Sequence, residues 1–67
     1  MTIIVTINGG NQTLPPHTTL AQVIERFAAG PDVVVAVNDC FVPRSHHGAH
    51  RLDAGDRVEL LAPMEGG

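Results

Sequence analysis

Thr19-Leu20-Ala21-Gln22-Val23-Ile24-Glu25-Arg26-Phe27-Ala28-Ala29-Gly30-Pro31 is the stretch on which the fold turns. Thr19 is a natural N-cap, and Gln22, three residues later, completes a capping box in which each side chain satisfies a backbone N–H of the other. Leu20, Val23, Ile24, Phe27 and Ala28 recur at the spacing that lines one face of a helix. Gly30 supplies a C-cap and Pro31 blocks continuation. The pattern predicts one helix over about 20–29, apolar on one side.

The flanks read as strands. Ile3, Val5 and Ile7 alternate with Thr2, Ile4 and Thr6, a strand with one buried face. Asn8-Gly9-Gly10-Asn11 is turn chemistry, because Asn and Gly tolerate positive φ. A short strand at about 12–14 completes a hairpin, ended by Pro15-Pro16. Beyond the helix, Val33 to Val37 is β-branched and too short to be helical, and reads as a strand buried on both faces or nearly so. Asn38-Asp39 turns it into Cys40-Phe41-Val42, which Pro43 ends. Ser45 to His50 is irregular or a single helical turn, Arg51-Leu52 pairs briefly, and Asp53-Ala54-Gly55-Asp56 turns into a last strand over 57–62. One helix covers one face of such a sheet. If Val58 and Leu60 face the helix, Leu61 and Ile4 lie on the outer face, with Met64 just beyond. Those residues are either scattered surface apolar groups or a patch that binds a partner.

Composition narrows the function. With 67 residues there is one domain and little room for a deep pocket. The net charge is −3, lysine is absent, and Arg26, Arg44, Arg51 and Arg57 form no run. Neither Tyr nor Trp offers a base a stacking surface, so nucleic acid is not an expected partner. Cys40 is the single cysteine, which excludes an internal disulfide and a four-cysteine cluster and suits a reducing cytoplasm. The first residues lack the pattern of a signal peptide, and no apolar run is long enough for a membrane span. The expectation is a soluble cytoplasmic protein.

The residues that invite a chemical role do not assemble one. His46 and His50 are spaced to share a helix face, but Gly48 lies between them and no neighbouring carboxylate orients either ring, so no metal is expected and the segment reads as a solvated loop. Cys40, at the start of an apolar strand, reads as a buried inert thiol. No nucleophile–base signature is present, and an enzyme is not expected.

The chain as given ends on Gly66-Gly67. A carboxylate reacts as an acyl donor only after activation, for example as an acyl-adenylate. A terminus that must thread a narrow channel to another protein's nucleotide site is served by glycine, which has no Cβ to clash. The five residues from Pro63 extend about 17 Å, and Pro63 stiffens the root of that segment.

Taken in order, Ile7-Asn8-Gly9, Thr19-Leu20, Val35-Ala36-Val37-Asn38, Val42-Pro43-Arg44, Gly55-Asp56-Arg57-Val58-Glu59 and Gly66-Gly67 resemble the ThiS-type sulfur carriers of thiamine biosynthesis, within the ubiquitin-like β-grasp group. The segment from Ser45 to His50 departs from that pattern, with histidines where an aromatic residue is expected. The resemblance implies an α+β β-grasp domain over 1–62, with a mixed sheet of about five strands and one main helix across one face, and a C-terminal tail over 63–67. It implies a carrier with no catalytic group and no bound cofactor of its own. An E1-like, ThiF-type adenylyltransferase uses ATP and Mg to adenylate the Gly67 carboxylate, Gly66 giving access. Sulfur from a persulfide, supplied by a donor such as a cysteine desulfurase, converts it to a thiocarboxylate. A ThiG-type thiazole synthase receives the sulfur. Leu61, Met64 and Arg44 are the expected partner contacts, although Arg44 is as readily an ordinary surface ion pair. The small subunit of molybdopterin synthase is an alternative carrier. A β-grasp interaction module or a protein modifier is an alternative of another class.

Overall fold

The computed structural model describes residues 1–27 and 32–61. Five strands form one sheet in the order β2-β1-β5-β3-β4. They are β1 (Ile3–Ile7), β2 (Gly10–Leu14), β3 (Val34–Val37), β4 (Cys40–Val42) and β5 (Arg57–Leu61). Helix α1 (Leu20–Phe27) lies between β2 and β3 in the chain, and a single 3-10 turn spans Arg44–His46. The last strand is therefore the middle one, parallel to β1 on one flank and antiparallel to β3 on the other.

Both hairpins close through two-residue turns in which each residue has positive φ. Asn8 (51°) and Gly9 (84°) link the Ile7↔Gly10 pair, and Asn38 (52°) and Asp39 (67°) link Val37↔Cys40. Turns of this hand match the right-handed twist of the strands they join, and Asn, Asp and Gly are the residues that tolerate them. The first turn is tighter than the sequence suggests: Gly10 and Asn11 already belong to β2.

The capping box forms as expected. The Thr19 N–H donates to Gln22 Oε1 at 2.9 Å, and the Gln22 N–H donates to Thr19 Oγ1 at 3.3 Å. The expected helix end at residues 28–29, the Gly30 cap and Pro31 lie outside the described residues.

The core is a single cluster on the helix side of the sheet. It joins Val5, Ile7, Leu14, Leu20, Val23, Val35, Val37, Val42, Leu52, Val58 and Leu60. Every strand residue in it obeys the period-two alternation that sends alternate side chains to one face. Leu52 is drawn in by the Thr19↔Arg51 bridge and by its N–H to the Thr18 carbonyl at 2.8 Å.

Two expectations are corrected here. Val33 to Val37 is not buried on both faces: Val34 is 46% exposed, because among the described residues no second layer covers the outer side. Ser45 to His50 is not simply a solvated loop. His47 is only 8% exposed and its Nε2–H donates to the Val42 carbonyl at 3.1 Å. The backbone of this segment also caps α1. The Leu20 N–H donates to the His50 carbonyl at 2.9 Å and the Ala21 N–H to the His47 carbonyl at 3.1 Å. With Gln22 bonded to Thr19, each of the first three helical N–H groups, which have no partner within a helix, is satisfied.

Candidate functional site

The outer face of the sheet is built by the residues that alternation turns away from α1. Val34 on β3 stands directly opposite Leu61 on β5, and Ala36 on β3 stands between Phe41 on β4 and Glu59 on β5. Leu61 is 59% exposed and Phe41 65%. Leu61, Val34, Ala36 and Phe41 form an apolar stripe that begins at the end of β5, the point from which positions 62–67 follow. Arg57 crosses the same face at the start of β5 and donates through Nη2 to Asp39 Oδ2 at 2.7 Å. Both partners are well exposed, so solvent screens the pair.

Leu61 therefore lies where the sequence places it, on the outer face at the root of the terminal segment. Ile4 shares that face but not that neighbourhood. Its carbonyl accepts the Gly55 N–H at 2.8 Å, and Gly55 lies six residues before Leu61. At about 3.3 Å per residue this separates Ile4 from Leu61 by on the order of 15 Å or more. Val34 takes the place beside Leu61 that Ile4 does not fill, and Phe41 continues the apolar surface one strand further, opposite Ala36. The reading of 33–37 as doubly buried hid Val34, although the alternation of Val34 and Ala36 with Val35 and Val37 carries the signal. Arg44 is exposed on the 3-10 turn; among the described residues the ion pair is made by Arg57 instead. Met64, Gly66 and Gly67 lie outside the described residues.

The other candidates do not converge on a reactive site. Cys40 is exposed, not buried. It has the parity of Val42, but it begins a three-residue edge strand. Among the described residues no group of three or more His, Cys, Asp or Glu is placed to hold a metal ion, and no helix is long and apolar enough to cross a membrane. A groove of about 250 Å³ between α1 and the segment preceding it is lined by Pro15, Pro16, His17, Arg26 and Phe27 among others, with no thiol or carboxylate.

A mixed five-stranded sheet grasping one helix, with its last strand in the centre and an apolar outer face beside that strand's end, defines a ubiquitin-like β-grasp protein. The ThiS family model matches residues 5–67, so the chain belongs to the ThiS family. Among solved structures it is similar to the thiamine biosynthesis protein ThiS from Geobacter metallireducens, at 25% identity and a TM-score of 0.79, over 97% of this chain and 100% of that one. No curated protein sequence matches it.

Proposed function

We propose that this protein is a sulfur carrier for thiamine biosynthesis whose reacting group is the Gly67 carboxylate. The observation that carries the reading is that the family match extends to Gly67, so that Gly66-Gly67 falls within the matched region. The apolar stripe at the end of β5 supports it, because it gives a partner a surface next to the segment it must receive.

The reaction follows from the chemistry of a carboxylate. A carboxylate oxygen of Gly67 attacks the α-phosphorus of ATP, held with Mg by an E1-like, ThiF-type enzyme, and pyrophosphate leaves. The terminal sulfur of a persulfide, charged by a donor such as a cysteine desulfurase, attacks the acyl carbon of the adenylate, and AMP leaves. A second thiol then cleaves the S–S bond, leaving the thiocarboxylate on Gly67 and a disulfide behind. A ThiG-type thiazole synthase takes the sulfur into the thiazole ring. The carrier contributes access and docking: Gly66 puts no side chain in the channel, and Leu61, Met64 and Arg44 meet the partner. Residues 1–62 act as the folded body and 63–67 as the inserted tail.

The test is ATP–pyrophosphate exchange with the E1-like enzyme encoded in the same genome, with intact-protein mass spectrometry after a sulfur donor is added. The chain should support exchange and gain the mass difference of sulfur for oxygen in its C-terminal fragment. Absence of exchange, or sulfur found on Cys40, refutes the reading.

A further inference from the structure

Strand β5 is held between two asparagines. Asn8 and Asn38 occupy the same place in the two hairpins, each the first residue of a two-residue turn at positive φ. Asn38 sits beside the start of β5. Its Oδ1 accepts the Arg57 N–H at 3.0 Å, its own N–H donates to the Arg57 carbonyl at 2.8 Å, and its Nδ2 donates to Asp56 Oδ1 at 3.1 Å.

Asn8 sits on the opposite flank, beside the opposite end. Pairing between β1 and β5 runs through Thr6↔Arg57 and Ile7↔Val58, and the Asn8 N–H donates to the Val58 carbonyl at 2.9 Å. There β1 turns away into β2, which leaves the Leu60 N–H and carbonyl on that flank with no strand beside them among the described residues. The Asn8 carboxamide takes the strand's place. Oδ1 accepts the Leu60 N–H at 2.8 Å, and Nδ2 donates to the Leu60 carbonyl at 3.3 Å. A carboxamide presents an acceptor and donors in one plane, as a peptide group does, so the ladder continues one step past the end of β1. Leu60 is itself buried, and an unpaired N–H or carbonyl there would be costly.

Beyond Leu60 only Leu61 remains in β5, paired to Val34 from the other flank. Positions 62–67 follow. Resting on the carrier reading above, we propose that Asn8 is a positioning residue for the C-terminal carboxylate. It fixes the last step of β5 from the β1 side, so that the chain leaves the sheet in one direction relative to the apolar stripe on which the activating enzyme docks. Without the carboxamide, the end of β5 is held from one flank only. Docking is unaffected, but the carboxylate is less often in line with the α-phosphate.

Asn8→Gly and Asn38→Gly form a matched pair. Glycine keeps the positive φ that each turn needs, and each substitution removes two side-chain hydrogen bonds at one end of β5. Both should lower Tm to a similar extent. Asn8→Gly alone should speed amide hydrogen exchange at Leu60 and Leu61 relative to the rest of β5. It alone should lower kcat for ATP–pyrophosphate exchange by about 10-fold, with KM for the carrier unchanged. The proposal is overturned if both variants slow the reaction equally, if Asn8→Gly raises KM with kcat intact, or if protection at Leu60 does not change. Should Asn8→Gly not fold, Asn8→Asp serves in its place, since it keeps the acceptor for the Leu60 N–H and loses the donor to the carbonyl. It should show the same kcat-only loss, and full activity overturns the proposal. A wild-type chain that supports no exchange refutes the carrier reading and, with it, the role of Asn8 in activation. Selective loss of Leu60 protection in Asn8→Gly would still show the clamp, so the two failures are distinguishable.

Discussion

Val34 and Leu61 face each other across the β3–β5 ladder on the side of the sheet that α1 does not cover. A cross-strand apolar pair of this kind contributes roughly 0.2–1 kcal/mol, so losing it should cost the fold little. Leu61→Asp should therefore leave the domain folded, with a loss within that range by thermal denaturation. Binding to the activating enzyme should weaken at least about 10-fold, because a carboxylate carried into an apolar contact without a partner costs several kcal/mol, and each 1.4 kcal/mol is about a factor of ten. Ile4→Asp is the control. It places the same charge on the same face at the far end, and titration calorimetry should show unchanged affinity. Equal weakening by both would mean that the whole face, not the stripe at the end of β5, makes the contact.

His46 and His47 should behave differently although they are adjacent. His46 is exposed. His47 is buried and donates to the Val42 carbonyl. His47→Ala removes that donor and opens a void behind the loop that caps α1, and should cost about 1–3 kcal/mol. His46→Ala should lie within about 0.5 kcal/mol of wild type. Urea denaturation of the two variants decides this, and neither should alter activation of the terminus in the folded protein.

Local chemistry accounts for what the sequence reveals and long-range pairing for what it hides. The helix start, both turns and the inward set Val5, Ile7, Val58 and Leu60 each rest on signals contained within a few residues: a capping box, Asn-Gly or Asn-Asp, and alternation. The outer face needs the register as well. Ile4 and Leu61 share a face by parity, yet parallel pairing of β1 with β5 sets them at opposite ends, and nothing within either strand encodes that offset. Cys40 fails for a related reason. Its parity points toward the helix side, but its place on an edge strand, set by the strand order, leaves it exposed. His47 is buried because its segment folds under the N-terminus of α1, a packing relation between elements far apart in sequence. The terminal glycines that carry the proposed chemistry are the reverse case, legible in the sequence and outside the described residues.

Removal of the helix cap should separate stability from function. Thr19 and Gln22 exchange hydrogen bonds at the start of α1. Thr19→Ala leaves the Gln22 N–H without its acceptor and should cost about 1 kcal/mol, which for a domain of this size lowers Tm by about 4–8 °C. Below the new Tm, the rate of ATP–pyrophosphate exchange should match wild type, since α1 lies on the opposite face from the apolar stripe. A large loss of activity in the folded variant would place a partner contact on the helix side.

Cys40 is exposed, so its substitution tests a chemical rival and not packing. Cys40→Ala opens no interior cavity, and its stability should stay within about 0.5 kcal/mol of wild type. If the carrier reading holds, the variant still gains sulfur at the C-terminal fragment by mass spectrometry. Loss of sulfur uptake in this folded protein would make the thiol, not the terminus, the acceptor.

Deletion of Gly67, or replacement of Gly66 by Val, should abolish or greatly slow activation while leaving the fold intact. Among the described residues, the core cluster, both hairpins and the cap of α1 are already assembled from positions up to Leu61. Thermal unfolding of either variant should therefore match wild type closely. Activation requires the carboxylate to reach the α-phosphate at bonding distance, and misplacement by about 1 Å can cost about 100-fold in rate. Deletion withdraws the carboxylate by one residue, about 3.3–3.6 Å. Valine at position 66 adds a β-branched side chain, restricting the backbone and adding bulk where the chain enters the partner. ATP–pyrophosphate exchange should fall by at least about 100-fold in both variants, with binding through Leu61 and Phe41 retained in a pull-down. Deletion of the last residue without loss of rate would show that the terminal carboxylate is not the group activated.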